Sequence, residues 1–207
     1  MYARLVHAIG VASASGNVDQ ATDATSQRIL DAAMQESAAV GLARITVEDV
    51  VRRAGVSRMT AYRRYPRRDD LVDALVHRET QRFLAAVADA IESVDENSND
   101  GVAEAFTAAI RFAREHPMVR RVGTAEPARI DEWAELMDMG AAFIANYIHG
   151  DADGQPSRRV RWVADVFARL FFTYISSPPK DPNLADDEEL RRFAHEILTP
   201  MVEQALA

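Results

Sequence analysis

At 207 residues, with 48% hydrophobic and 27% charged side chains, the chain can bury a proper core in one or two domains and is not a disordered polymer. The absence of cysteine excludes a disulfide framework, thiolate zinc sites and a cysteine nucleophile, and it suits a reducing, cytoplasmic setting. The net charge of -8 is unevenly spread: residues 1–75 hold ten Arg against nine Asp or Glu, so the other 132 residues carry -9.

Met1 to Gly16 mimics a short signal peptide, but its apolar part is brief and interrupted by His7. No apolar run approaches the roughly 20 residues of a membrane span, so no membrane partner is expected. Residues 1–23, rich in Ala, Ser, Gly and Asp, read as an arm that carries Arg4. Ile29, Leu30, Ala33 and Met34 then form a helical stripe that Thr25 or Ser26 can cap and Gly41 ends. Thr46 is expected to cap a second helix, with Asp49 approximating the partner of a capping box. Ala54-Gly55-Val56-Ser57 closes that helix and opens a third: Gly55 left-handed, Val56 plugging the core, Ser57 as cap. Pro66 ends the third helix. Asp69 and Asp70 open a long fourth one that runs to about Val94 and dies in a polar hinge, 95–101. Further helices fit 102–116, a short piece after Pro117, then 127–149, 157–176 and 186–205, the last two separated by a proline-rich stretch that no helix can cross. There is no strand-like alternation and no internal repeat. The fold class is all-α, with about nine helices.

An eight-residue helix, a tight turn built on glycine and a further short helix describe a helix-turn-helix. The third helix, Ser57 to Tyr65, offers few positions for burial, and residues 52–68 contain seven Arg and no acid. Arg supplies paired donors to guanine, while Thr and Tyr hydroxyls reach phosphate oxygens. A solvated charged face, a plain helix cap and a core aromatic would each explain one of these residues, but not their combination.

The stretch from Ser26 to about Val76 resembles the TetR family of bacterial repressors. The likeness is carried by Arg28-Ile29-Leu30-Asp31-Ala32-Ala33, Gly41, Thr46-Val47-Glu48-Asp49-Val50, Ala54-Gly55-Val56-Ser57, Tyr62, Tyr65 and Arg68-Asp69-Asp70-Leu71. It implies an N-terminal three-helix DNA-binding domain over residues 24–80 and a C-terminal helical bundle over 81–207 for ligand binding and dimerisation. It also implies that Thr46, Thr60, Tyr62, Arg64 and Arg68 anchor phosphates, with Ser57 at the head of the reading helix. Arg58, Met59 and Arg63 would face the groove, with Glu48 reading from the second helix. The sequence departs from the family at Tyr65, where Phe is usual, at Ala61, where a bulkier aliphatic is usual, and at Met59, where a small residue is frequent.

Beyond residue 80 the chain has no signature of its own. Trp162, Val163, Val166, Phe167, Leu170, Phe171 and Tyr174 recur at helical spacing, as do Leu190, Phe193, Ala194, Ile197, Met201, Val202 and Leu206. These wide apolar faces suit either a four-helix dimer contact, which the resemblance favours, or burial within one subunit. Phe112, Met118, Trp133, Met137, Phe143 and Tyr147 are candidates to line a pocket for a small apolar or amphipathic molecule. No metal, cofactor or catalytic residue is expected: the five histidines lack metal-ligand spacing, and there is no phosphate-binding glycine loop or nucleophile elbow. The reading is a homodimeric, effector-released repressor on a pseudo-palindromic duplex operator. The alternative left open is a helical ligand- or protein-binding module whose helix-turn-helix no longer reads DNA.

Overall fold

The computed structural model describes residues 23–94, 100–117, 130–150 and 154–207, with the side chains of 130–136 and Met139 set aside. Among the described residues the chain is helical and contains no strand. Helix α1 (Ala24–Val40) opens on Asp23, whose carboxylate accepts from the Ser26 amide at 2.7 Å. The cap is therefore Asp23, not Thr25 or Ser26: Ser26 already lies in the first turn and is fully buried. Gly41, at φ 90°, ends α1, and a single 3-10 turn (Leu42–Arg44) leads to α2 (Val47–Ala54). After Gly55 comes α3 (Arg58–Arg64), then α4 (Arg68–Glu92), the longest element at 25 residues. The Asp70 carboxylate accepts the Arg67 amide at 3.0 Å and so closes the first turn of α4.

Ile29, Leu30 and Ala33 of α1, Val47, Val50 and Val51 of α2, Ala61 and Tyr65 around α3, and Leu71 and Leu75 of α4 share one core. Full burial of an aliphatic side chain contributes about 1.5–3 kcal/mol. A few such residues per helix therefore outweigh the poor intrinsic stability of helices only seven or eight residues long. Val56 packs against this core from the turn.

The body is built on α5 (Gly101–Glu115), α6 (Ile130–His149), α7 (Arg158–Ser176), α8 (Asp187–Phe193) and α9 (Thr199–Leu206). A π turn, Ala194–Leu198, joins α8 to α9, so the helix expected over 186–205 is a single rod with a phase change in it. Its core runs through Phe106, Ile110, Ala145, Ile148, Val160, Ala164, Phe167, Leu190 and Leu198. Ala88 and Ile91 near the end of α4 make a small third cluster with Val87, Ala105 and Tyr147. Helix α4 thus belongs to the first core at one end and meets the body at the other. The arm of residues 1–22, the hinge of 95–99 and the short piece after Pro117 lie outside the described residues.

Candidate nucleic-acid interface

The α2–α3 unit is held by capping at every end. Thr46 Oγ1 accepts the Asp49 amide at 3.1 Å, while its own hydroxyl donates to the Asp49 carboxylate at 2.6 Å, a variant of the expected capping box. At the other end of α2, Gly55 adopts φ 63°, ψ 35°, and its amide closes on Val51 O. Only glycine takes that left-handed geometry without strain, and it is what allows the sharp turn into α3. Arg28 reaches from α1 to donate to Ala54 O at 2.8 Å, placing a cation at the α2 C-terminus, where the helix dipole favours one. Ser57 then caps α3, accepting the Thr60 amide at 3.1 Å with its hydroxyl 2.8 Å from that of Thr60.

Helix α3 buries only Ala61, with Tyr65 plugged beneath its end. Small Ala61 lets α3 sit close to its neighbours, and Arg58, Met59, Tyr62 and Arg63 are left facing outward. Met59 is 79% exposed and Tyr62 39%, and the Arg58 and Arg63 side chains are exposed as well. The Tyr62 hydroxyl donates to Glu48 Oε1 at 2.6 Å across the α2–α3 gap. That bond holds the Glu48 carboxyl below its ordinary value, with the nearby Arg58 charge adding to the effect, and it raises the Tyr62 phenol above its own value against the pull of Arg58.

The arginines that look alike in sequence divide into two kinds. Arg64, named above as a phosphate anchor, turns inward: its Nε donates to Ser26 Oγ at 3.0 Å, its guanidinium pairs with Asp23, and its side chain is 16% exposed. Arg68 donates Nε to Ile45 O at 3.0 Å and Nη2 to Leu42 O at 2.8 Å, stitching α4 to the loop before α2. Arg52, Arg53 and Arg67 pair with Asp49, Glu36 and Asp70. Among the described arginines of this unit, the side chains of Arg44, Arg58 and Arg63 carry no hydrogen bond or ion pair. Two of those three stand on α3.

Comparison with known proteins bears on this unit directly. Residues 29–75 match the family model described as bacterial regulatory proteins, tetR family. Over that segment the chain is similar to the TetR family. It is 29% identical over 194 residues, 90% of its length and 89% of theirs, to MT1294 and Rv1255c, two HTH-type transcriptional regulators of Mycobacterium tuberculosis. The crystal structure of the TetR family repressor AlkX from a Dietzia strain has the same fold, with a TM-score of 0.55, 21% identity, and coverage of 86% of this chain and 96% of that one.

Farther along the chain, the two late apolar stripes split between inside and outside. Phe167 and Leu190 are 8% and 0% exposed and belong to the chain's own core, so neither is available to a partner subunit. Leu170, Phe171, Tyr174, Phe193 and Met201 also pack against that core, in part. Trp162 and Val166 on α7, Ile197 in the π turn and Leu206 at the end of α9 remain, 44–59% exposed. The Arg158 guanidinium lies 4.7 Å above the Trp162 ring.

The six pocket candidates are not assembled in one described cavity. Met118 and the Trp133 side chain lie outside the described residues. Phe112, Met137, Phe143 and Tyr147 line neither of the two clefts observed, which are edged by Tyr174, Pro178 and Leu184 or by Asp186, Glu189 and Phe193. Tyr147 is drawn into core packing, and Met137 Sδ lies 4.0 Å from the Arg169 guanidinium. Phe112 instead joins a file of rings: edge-on to Phe83 at 5.5 Å, then Phe83 to Phe171 at 5.8 Å and Phe171 to Phe172 at 5.7 Å. Sequence reading missed Phe83 and Phe172. Aromatic bulk at half-buried helical positions was the available signal.

Proposed function

We propose that the chain is a homodimeric transcriptional repressor, acting in the cytoplasm, that is released from a pseudo-palindromic operator by a small apolar or amphipathic molecule. The observation that carries the DNA-reading part is α3 itself: a firmly capped short helix that buries one alanine and presents Arg58, Met59 and Arg63 outward without intramolecular partners. In the major groove, Arg58 and Arg63 offer paired donors to guanine, and Met59 offers apolar contact to a thymine methyl. Thr46, Ser57, Thr60 and Tyr62 flank them with hydroxyls for phosphate oxygens. Tyr62 exchanges Glu48 for phosphate on docking, which frees the Glu48 carboxylate to accept from a cytosine amino group.

The exposed Trp162, Val166, Ile197 and Leu206 support a two-fold contact made by α7 and the final helix, which would set two α3 helices about 34–36 Å apart, one turn of duplex. The half-buried file of Phe83, Phe112, Phe171 and Phe172 between α4, α5 and α7 supports an apolar effector. A ligand that favours a different tilt of α4 would change the spacing of the reading helices. To do so it must prefer the released state by about 1–3 kcal/mol, and operator must weaken the ligand equally.

The test is fluorescence anisotropy with duplexes tiled across the protein's own promoter region, with and without a panel of hydrophobic ligands. Tight, salt-sensitive binding to one tile, relieved by a ligand, is the expected result. Binding that never exceeds that to random duplex would instead support a module that has lost DNA reading.

A further inference from the structure

His116 closes the C-terminus of α5, and its side chain is 9% exposed. Its Nε2 lies 3.2 Å from Glu79 Oε2 on α4, where the carboxylate makes the imidazole the donor. The Glu79 side chain, also 9% exposed, accepts from Arg78 Nε at 2.7 Å and from Arg82 at 3.3 Å. Arg78, equally buried, extends the other way: its Nη1 donates to Asp31 Oδ1 at 2.7 Å and to Gln27 Oε1 at 3.4 Å, both on α1. An unbroken polar chain, Asp31–Arg78–Glu79–His116, therefore crosses from the end of a body helix, through α4, to the first helix of the DNA-reading unit.

A buried charge deprived of its partner is among the costliest defects in a fold, so each interior member is held by the next. Apolar side chains could join α1, α4 and α5 at least as firmly. What they would not supply is direction, since hydrogen-bonded charges tolerate little sliding. The two ends differ in a way that suits a transmission. The His116 ring is stacked on Phe112 at 5.2 Å and 22°, at the head of the ring file that reaches α7. The Asp31 carboxylate at the other end is 55% exposed, so water can replace Arg78 there. The body end is fixed, and the reading end can let go.

We propose that His116, through Glu79 and Arg78, positions α1, so that a displacement at the end of α5 is felt in the reading unit as a change of DNA affinity. This rests on the DNA-binding reading above. None of the three touches DNA; they are positioning residues.

Two arms test the relay on the full-length protein. The first is hydrogen exchange of the free protein. His116→Phe keeps a ring to stack on Phe112 and removes the donor to Glu79; it should speed exchange along Gln27 to Ala33 of α1, and His116→Gln, which restores a donor, should slow it again. The second is a double-mutant cycle on operator affinity between Asp31→Asn and His116→Phe, whose side chains meet only through Arg78 and Glu79. Independent sites would add; the relay predicts a departure from additivity of about fivefold or more, abolished by Arg78→Met. Unchanged exchange on α1, or additive losses in the cycle, overturns the relay. If the wild-type protein bound no duplex selectively, the DNA reading would fall, while the exchange arm would still decide whether His116 holds α1.

Discussion

Replacing Arg68 by alanine separates two roles that a basic residue near a helix-turn-helix can have. Its guanidinium donates to Leu42 O at 2.8 Å and to Ile45 O at 3.0 Å. Hydrogen bonds from a charged donor are worth about 1.5–3 kcal/mol each when shielded. The Arg68 side chain is 39% exposed, so water recovers part of the loss at each carbonyl, and the pair together should cost about 2 kcal/mol. For a chain of this size that corresponds to a fall in Tm of about 4–8 °C. Lysine keeps the charge but cannot bridge two carbonyls with a planar fork, so Arg68→Lys should recover less than half of the loss. The assay is a thermal melt followed by circular dichroism at one fixed protein concentration, because a dimer's Tm depends on it. If Arg68→Ala melted within about 1 °C of wild type, yet bound duplex with a salt slope shallower by about one phosphate, the brace would be refuted and the phosphate role restored.

Arg63→Ala should do the opposite: an unchanged melt, and a blurred preference among operator variants, at about 1–3 kcal/mol for the lost base contact. Trp162→Asp with Val166→Asp should leave a folded monomer in light scattering, whereas Phe167→Asp should fail to fold because Phe167 lies in the subunit's own core; a dimer surviving the double change would place the contact elsewhere. Acid should loosen the α1–α4–α5 junction. Burial alone would raise the Glu79 carboxyl, but the His116 bond with Arg78 and Arg82 outweighs it and holds the group below its ordinary value of 4.5. A depressed carboxyl contributes stability that is whole above the ordinary value and lost as pH falls through the folded one. Urea melts between pH 6 and pH 3 should therefore show a decline below about pH 4.5 that is shallower in Glu79→Gln; identical slopes in the two proteins would dismiss Glu79 as its source.

What could be read from sequence followed how local each cause was. Gly55 and Ser57 were legible because a left-handed turn and a helix cap are settled by three or four adjacent residues. The cap of α1 was misplaced by two or three positions because Asp23, Thr25 and Ser26 all carry suitable oxygens, and only the burial of Ser26 decides among them. Arg63 and Arg64 are indistinguishable as neighbours in a basic run. Their roles diverge because a helix turns about 100° per residue, which points one to solvent and the other at Asp23 and Ser26, 41 and 38 positions away. The late apolar stripes were visible, but a stripe wide enough for two partners does not say which residues serve which. Phe167 and Leu190 went inward while Trp162, Val166 and Ile197 stayed out. His116 gave no sign at all, since its partner lies 37 residues upstream on another helix.

The placement of Glu79 along α4 has a mechanical consequence. It sits 11 residues from Arg68 and 13 from Glu92, close to the middle of a 25-residue rod. At about 1.5 Å per residue the arms are about 17 and 20 Å, so a helix pivoting where His116 grips it is a nearly balanced beam with little mechanical gain. Whatever distance the Glu92 end travels, the Arg68 end travels about as far in the opposite sense. A rocking of about 10° carries Arg68 about 3 Å, close to the 3.4 Å step between stacked bases. Such a beam transmits one base-pair step at most, and it does so only while its fulcrum holds.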